Sequence, residues 1–253
     1  MSIQRVTSKW AKTNALILSN YLNDYIPATK LFNSDVLHEM LEQHSMVYVK
    51  PDRGTYGNGV IRVERLAAPA TGYKYQLNTR VFTFPTFELL SQSLIRYIKR
   101  KRYLVQKGIY LLRHQNRRFD IRVMVQKNKQ NVWEATGIIG RLSHPSKIVT
   151  NYHSGGTPMS FERLMSSHLS SSEQAAYKIK LNTLCLSIAN QLQVKYPRIK
   201  EIGVDIAIDT MLHPWILEVN TCPDPFIFRK LKDQRVFRKI YRYAVGYGRF
   251  KKK

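Results

Sequence analysis

The chain has 253 residues, of which 43% are hydrophobic and 23% charged, as is typical of a globular protein with one large domain or two smaller ones. No apolar run has the length of about 20 residues that a transmembrane helix needs, and the N-terminus lacks the apolar stretch of a secretory signal. Cys185 and Cys222 lie in different segments and form no metal or redox motif, so we expect a cytoplasmic protein. The net charge of +24 indicates an acidic partner such as a nucleotide, a polyanion or an anionic lipid.

The first half of the chain contains alternating helical and extended patterns. Residues 8–22 have a helical pattern, and a second helix over residues 34–43 is predicted to begin at Ser34 as its N-cap. Leu90, Leu94 and Ile98 share one face of a third predicted helix, residues 86–100. Short apolar or alternating runs predict strands at residues 46–50, 59–64, 73–77, 80–84 and 103–106.

The second half repeats this mixture. Two strands, residues 119–126 and 132–143, flank a polar turn, and the longest helix is predicted over residues 172–193. The last strand pair covers residues 203–209 and 214–220. Antiparallel pairs that alternate with covering helices predict an α+β fold in two lobes, with a boundary near residues 107–109.

A glycine-rich loop follows the first predicted strand in the stretch KPDRGTYGNGV, residues 50–60. Gly54 and Gly59 have the P-loop spacing, but Val60 and Ile61 stand where that motif needs Lys and Ser or Thr. Gly57 and Gly59 begin a dinucleotide fingerprint that lacks its third glycine. Taken alone, the loop is either a hairpin turn or a cover for phosphates.

Two acidic residues interrupt the apolar strands of the last hairpin. Asp205 and Glu218 would lie almost opposite each other if these strands pair, and Asn220 shares the face of Glu218. A buried carboxylate is costly unless it is paired or bound to a metal. Carboxylate and amide oxygens suit Mg²⁺, so the hairpin predicts a magnesium site; the alternative is a strand with outward-facing acids.

These motifs together resemble the ATP-grasp superfamily. The G-V-D and E-V-N stretches of the last hairpin resemble its magnesium core, and the loop after Lys50 resembles its phosphate-covering loop. VQKGI (105–109) resembles the hinge strand between its lobes. SKW (8–10), FDIRV (119–123) and NYHSGG (151–156) resemble the YheC/YheD branch, the endospore coat-associated proteins of bacilli. The resemblance covers residues 8–225 in order.

The resemblance implies an ATP-grasp fold and ATP-dependent ligation of a carboxylate to an amine or thiol through an acylphosphate. Lys9 and Lys50 would then contact the α- and β-phosphates of ATP. For the nucleotide, the resemblance implies that Gly54, Gly57 and Gly59 cover the phosphates, and that Gln106, Lys107 and Ile109 contact the adenine. For the reaction, it implies that Asp205, Glu218 and Asn220 bind two Mg²⁺ ions, and that Arg122 and Arg141 act as catalytic residues that stabilise the γ-phosphate or the acceptor carboxylate. Asn151, Gly155 and Gly156 would shape the acceptor end of the site. A surface salt bridge is the alternative for the two arginines.

The chain also departs from the superfamily pattern. Few residues precede Lys9, where most members have a domain that helps to bind the acceptor, and no acid follows the hinge to hold the ribose. Asp224 stands where a glycine is common. One alternative is therefore a non-catalytic structural protein of the spore coat that retains nucleotide binding.

The C-terminal segment carries much of the excess charge. The last 28 residues contain 11 basic residues and one acid, interspersed with aromatic residues. One interpretation is that this tail binds an acidic polymer or a spore coat component by itself, in which case deleting residues 229–253 would spare ATP binding. The alternative is that its aromatic residues pack on the larger lobe. The predicted regions are an N-terminal helical remnant (1–27), a small lobe (28–107), a large lobe (108–228) and this tail (229–253).

Overall fold

The computed structural model describes residues 2–150 and 152–251 and confirms an α+β fold with two lobes. Each lobe is built on an antiparallel sheet with helices packed on it. The last strand of the small-lobe sheet ends at Lys107, and the boundary near residues 107–109 stays a prediction.

The N-terminal region forms two short helices rather than the single helix expected over residues 8–22. Helix α1 spans Lys9–Leu16 and helix α2 spans Asn20–Asn23. The helical pattern breaks because Ser19 starts a new helix, with its side chain accepting the backbone N–H of Leu22. Both helices contribute apolar side chains to the core of the large lobe.

The small lobe has six described strands in the order β1-β6-β2-β3-β4-β5. Its core lies between this sheet and two helices. The N-cap of its first helix is Asn33, not Ser34 as expected, because the Asn33 side chain accepts the N–H of Val36 at 2.7 Å. The elements are β1 (Thr29–Leu31), α3 (Ser34–His44), β2 (Met46–Pro51), β3 (Ile61–Arg65), β4 (Tyr73–Leu77), β5 (Arg80–Phe84), α4 (Phe87–Ile98) and β6 (Tyr103–Lys107).

The large lobe has a sheet in the order β10-β9-β8-β11-β12, with β7 paired to β8 outside this path. Its longest helix begins with a capping box, in which Ser170 and Glu173 exchange side-chain and backbone hydrogen bonds. This helix covers one face of the sheet and forms the larger core. The elements are β7 (Arg113–His114), β8 (Arg117–Lys127), β9 (Trp133–Leu142), β10 (Thr157–Met159), α5 (Phe161–Met165), α6 (Ser171–Lys195), β11 (Glu201–Ile208) and β12 (Pro214–Asn220).

The C-terminal segment packs on the opposite face of the large-lobe sheet. A 3₁₀ helix, Phe226–Lys230, leads into helix α7, Gln234–Gly246. Phe228 and Ile240 are fully buried in a second core with Met124 and Ile139 from the sheet. The burial of its apolar side therefore supports the alternative in which the tail packs on the larger lobe. The segment is thus part of that lobe.

One irregularity in the last hairpin decides which side chains share a face. Asp205 pairs with Glu218, whereas its neighbour Ile206 pairs with Ile216, so Leu217 is an extra residue in a β-bulge. Ile216 and Val219 consequently both reach the core. Glu218 is left on the face of Asp205, away from that core.

Candidate functional site

A cavity of about 480 Å³ lies between the two lobes and is lined by residues of both. This volume is within the range of small-molecule binding sites. The small lobe contributes the end of β2 and the glycine loop, and the large lobe contributes parts of β8, β9, β11 and β12. The cavity therefore brings together segments that are far apart in the sequence.

Lys50 at the end of β2 is a buried lysine of the small lobe that reaches across to the large lobe. Its Nζ donates to the side-chain oxygen of Gln106 at 2.7 Å and to the backbone carbonyl of Leu217 at 3.0 Å. Burial lowers the pKa of Lys50 to about 8, although Glu218 acts in the opposite direction. Its ammonium group is thus fixed at the cavity wall and only partly solvated.

Lys9 connects the glycine loop to the candidate metal site. Its Nζ donates to the carbonyl of Gly54 at 3.0 Å and lies 3.5 Å from a carboxylate oxygen of Glu218. The Ser154 hydroxyl donates to the carbonyl of Tyr56 at 2.9 Å, so the loop is also held by the large lobe. The loop therefore covers the cavity instead of extending into solvent.

The glycines of this loop are needed for its backbone shape. Gly57 has a φ of 77° and Gly59 a φ of 73°, in the left-handed region that disfavours side chains. A Cβ atom at Gly59 would also lie 2.8 Å from the hydroxyl of Tyr103. Gly54 and Gly57 line the cavity, and Gly59 shapes the return of the loop to β3.

Lys12 is a third buried lysine beside this site, and the sequence reasoning missed it. Its Nζ donates to the carbonyl of Val6 at 3.1 Å, and its side chain lines a small pocket together with Lys9, Lys50 and Glu218. Burial lowers its pKa to about 8. A spacing of three residues from Lys9 on a helix was the available signal, because such residues share a face.

Arg122 and Arg141 form a buried charge network with two aspartates. Arg122 donates to both carboxylate oxygens of Asp205, and its Nη2 lies 2.9 Å from Oδ2. The Nη2 atom of Arg141 lies 3.0 Å from the same Oδ2 atom of Asp205. Arg141 also donates two hydrogen bonds to Asp120, and its Nε lies 2.8 Å from Oδ1 of that residue. The side chains are almost fully buried, so the surface salt bridge expected as the alternative is wrong. Asp120, which the sequence reasoning did not assign to the site, holds Arg141 in place.

The arginines also set the ionisation of Asp205. Burial by itself would raise the pKa of this carboxyl group, but Arg122 and Arg141 hold it below its usual value. Asp205 is therefore an anion at neutral pH despite its burial. It balances part of the positive charge that the two arginines place beside the cavity.

The predicted metal ligands line the cavity on one face of the last hairpin. Asp205 and Glu218 are directly paired across β11 and β12, and Asn220 follows on the same strand. Among residues 2–150 and 152–251, no group of three His, Cys, Asp or Glu residues is arranged to hold a metal. The amide of Asn220 would therefore have to complete the ligand set.

The predicted hinge residues are divided between the cavity and its surroundings. Gln106 and Ile109 line it, and Gln106 is fixed by its bonds to Lys50 and Thr29. The ammonium group of Lys107 instead lies 5.0 Å from the ring centre of Trp215. The side chain of Lys107 thus packs on Trp215 instead of lining the cavity, and an adenine contact by this residue stays a prediction.

The predicted acceptor loop contributes to the cavity through the residues on either side of Asn151 rather than through its glycines. Asn151 lies outside the described residues. Thr150 and Tyr152 line the cavity, whereas Gly155 packs near His144. An acceptor role for Gly155 and Gly156 stays a prediction.

The chain with this fold and cavity matches one known family over most of its length. The sequence pattern described as YheC/D like ATP-grasp matches residues 3–250. The chain belongs to this ATP-grasp family. The earlier resemblance is thereby confirmed.

Two curated relatives of this YheC/D-like chain are known from Bacillus subtilis. The endospore coat-associated protein YheD is 26% identical over 226 residues, which is 87% of this chain and 49% of YheD. The endospore coat-associated protein YheC is 23% identical over 221 residues, which is 85% of this chain and 59% of YheC. The chain thus spans about half of the length of the curated relatives that it matches.

Solved ATP-grasp structures confirm the fold of this family member. The D-alanine-D-alanine ligase from Coxiella burnetii matches with a TM-score of 0.55 and 10% identity, over 94% of this chain and 57% of the ligase. At this identity the likeness concerns the fold alone.

No helix within the described part of the chain is long and apolar enough to cross a membrane.

Proposed function

We propose that this YheC/D-like protein binds ATP and Mg²⁺ between its lobes and ligates a carboxylate to an amine or thiol. The observation that carries the proposal is the shared cavity, which collects cations suited to phosphates and oxygen ligands suited to magnesium. Its lining includes Lys9, Lys50, the glycine loop, Arg122, Arg141, Asp205, Glu218 and Asn220. Membership of the ATP-grasp family supports the same assignment.

Lys9 and Lys50 would hold the α- and β-phosphates of ATP. Both ammonium groups are fixed by protein acceptors, and both are largely withdrawn from water. A charge-assisted contact is stronger in such a partly closed site than on the surface. Gln106 and Ile109 would border the adenine, since they line the same cavity next to Lys50.

The donor atoms of the last hairpin fit magnesium. Glu218 is partly exposed to the cavity, and its contact with Lys9 is long at 3.5 Å, so its carboxylate is accessible to a cation. Asn220 adds an amide oxygen, and Asp205 would share its oxygens with the two arginines. Bound Mg²⁺ would supply charge neutralisation at the phosphate oxygens.

The proposed reaction has two balanced steps. A carboxylate oxygen of the acceptor attacks the γ-phosphorus, the bond between this phosphorus and the β,γ-bridging oxygen breaks, and ADP leaves as an acylphosphate forms. An amine or thiol then attacks the acyl carbon, the bond between this carbon and the phosphate oxygen breaks, and the departing inorganic phosphate takes up the proton that the nucleophile loses. Arg122 and Arg141 are held in fixed orientations by Asp205 and Asp120, which would preorganise them for the developing charge.

Replacing Lys50 by alanine tests the nucleotide site. We expect Lys50→Ala to weaken ATP binding by about 10- to 100-fold, because one charge-assisted contact is lost. Isothermal titration calorimetry with ATP and Mg²⁺ measures the change, and Lys195→Ala is the control because this lysine is exposed on α6. Unchanged affinity in a folded Lys50→Ala protein would contradict the phosphate role.

The calorimetry should be followed by an assay of ADP release with candidate amino acids. ADP release that depends on an added carboxylic acid and amine supports ligation. ATP binding without ADP release would instead support the non-catalytic alternative.

We also propose an association with an acidic component, consistent with a protein linked to the endospore coat. The named relatives are endospore coat-associated proteins. On α7, Arg235, Arg238 and Arg242 recur at helical spacing and are exposed, while the apolar side of the helix is buried.

Retention of the protein on a heparin column should fall steeply with salt, and the double variant Arg238→Glu with Arg242→Glu should elute at a lower salt concentration. Unchanged elution of this variant would exclude the α7 face.

A further inference from the structure

The wall of the cavity that follows the candidate metal ligands is built by two parts of the C-terminal segment. Cys222, Phe226 and Ile227 come shortly after Asn220, and Arg249 and Phe250 come after helix α7. None of these residues has a role in the proposed binding of nucleotide or metal. This part of the cavity therefore needs a separate explanation.

Its main apolar surface consists of two aromatic rings. The ring centres of Phe226 and Phe250 are 5.8 Å apart. Phe226 remains 40% exposed although it lines a concave site. An exposed aromatic face inside a cavity is typical of a surface that a ligand covers.

Other side chains support these rings from outside the cavity. Tyr241 stacks on Phe250 at 5.3 Å with an angle of 15° between the planes, and Phe237 lies 6.0 Å from Phe226. The Arg229 guanidinium lies 4.8 Å from the centre of the Phe226 ring. The rings are thus held in place before any ligand binds.

Hydrogen bonds of one side chain and of the backbone fix the two sides of the same wall. Arg249 donates to the buried carboxylate of Glu201 at 2.8 Å and to the carbonyl of Pro223 at 2.7 Å. The Asp224 carboxylate accepts the N–H of Phe226 at 2.8 Å. A rigid apolar wall loses little conformational freedom on binding, which favours affinity for a flat partner.

We propose that Phe226 and Phe250 form the acceptor subsite, and that the acceptor is a carboxylic acid with an aromatic or other flat apolar group. This inference rests on the proposed ligase function, which requires a carboxylate beside the arginines and the γ-phosphate. The flat group would lie against the exposed ring of Phe226 and beside Phe250, while the carboxylate points towards Arg122 and Arg141. The Phe250 ring is itself already covered by Tyr241 and by the Arg249 guanidinium, which lies 5.1 Å from the ring centre. An acceptor with a short polar side chain would leave Phe226 uncovered.

The test uses the full chain loaded with Mg²⁺ and a non-hydrolysable ATP analogue, titrated with 3-phenylpropionate or with glutamate as probes. We expect 3-phenylpropionate to bind at least about tenfold more tightly than glutamate. Phe226→Ala should weaken 3-phenylpropionate by about tenfold without changing the affinity for the analogue, and Phe226→Tyr should restore it. The control Phe82→Ala removes a similarly exposed ring from the small lobe and should have no effect.

The outcomes separate the subsite from the nucleotide site. If the analogue binds but 3-phenylpropionate does not, or if it binds equally well to Phe226→Ala, the aromatic subsite is wrong while the nucleotide site stands. If the analogue itself fails to bind, the proposed function is wrong, and the inference fails with it. Phe250→Leu, which keeps an apolar but not a flat side chain, should also weaken the probe and gives a second variant.

Discussion

Deletion of residues 229–253 is expected to unfold the large lobe instead of producing a protein that still binds ATP. The deletion removes Ile240 and Ala244, which are fully buried, and uncovers Phe228, Met124 and Ile139 on the sheet. Loss of a single large core side chain costs about 2–5 kcal/mol, and a whole domain is stable by only about 5–15 kcal/mol. Urea denaturation followed by circular dichroism measures the loss.

The deletion also removes partners from a buried carboxylate. Glu201 is fully buried and accepts hydrogen bonds from Tyr247 and Arg249, which would both be absent. The matched control is a variant in which Arg235, Arg238 and Arg242 become alanine, because it removes charge but keeps the buried side of α7. A truncated protein that unfolds at the same urea concentration as the full chain would show that the segment acts separately, as one reading of the sequence proposed.

Replacement of Asp205 by alanine is the second change with a large expected effect. The buried guanidinium of Arg122 would lose both carboxylate oxygens of Asp205 to which it donates, and Arg141 would lose Asp205 while keeping its bond to Asp120. Removing one member of a buried ion pair costs about 3–5 kcal/mol, since the remaining charge is left without compensation. We expect Asp205→Ala to lower the free energy of unfolding by this amount, as measured by urea denaturation.

A double-mutant cycle distinguishes charge compensation from simple loss of packing. Arg122→Met in the Asp205→Ala background removes the stranded charge and should restore part of the stability. Asp24→Ala is a suitable control, because this carboxylate is exposed on the surface. Equal destabilisation of the single and the double mutant would contradict the role of Asp205 in charge compensation.

The sequence was sufficient to predict most of the longer strands and helices, and to place the two carboxylates almost opposite each other, but not to predict their direct pairing. Strands β4 and β5 agree with their predicted bounds because an Asn-Thr turn separates two runs of high strand propensity. A regular hairpin centred on residue 211 would place Leu217 opposite Asp205. The bulge at Leu217 moves Glu218 to that position, and no simple residue pattern predicts such a bulge.

Contacts between distant strands and helices were harder to predict. The burial of α7 had a signal, since Val236, Ile240 and Ala244 recur every four residues, but its high charge indicated an exposed tail. The pairing of Arg141 with Asp120 depends on the register of β8 and β9, which also contains an irregularity. Propensity and spacing along the chain do not fix such a register, because it depends on tertiary packing.

The hydrogen bonds across the cleft also have a consequence for kinetics. Lys50 binds the carbonyl of Leu217, Ser154 binds that of Tyr56, and the Gln76 side chain donates to the carbonyl of Ser146 at 2.9 Å. If nucleotide entry, under the proposed function, requires these bonds to open first, binding becomes a two-step process. The observed association rate would then level off at high ATP concentration, at the rate at which the lobes separate, rather than rise in proportion to ATP.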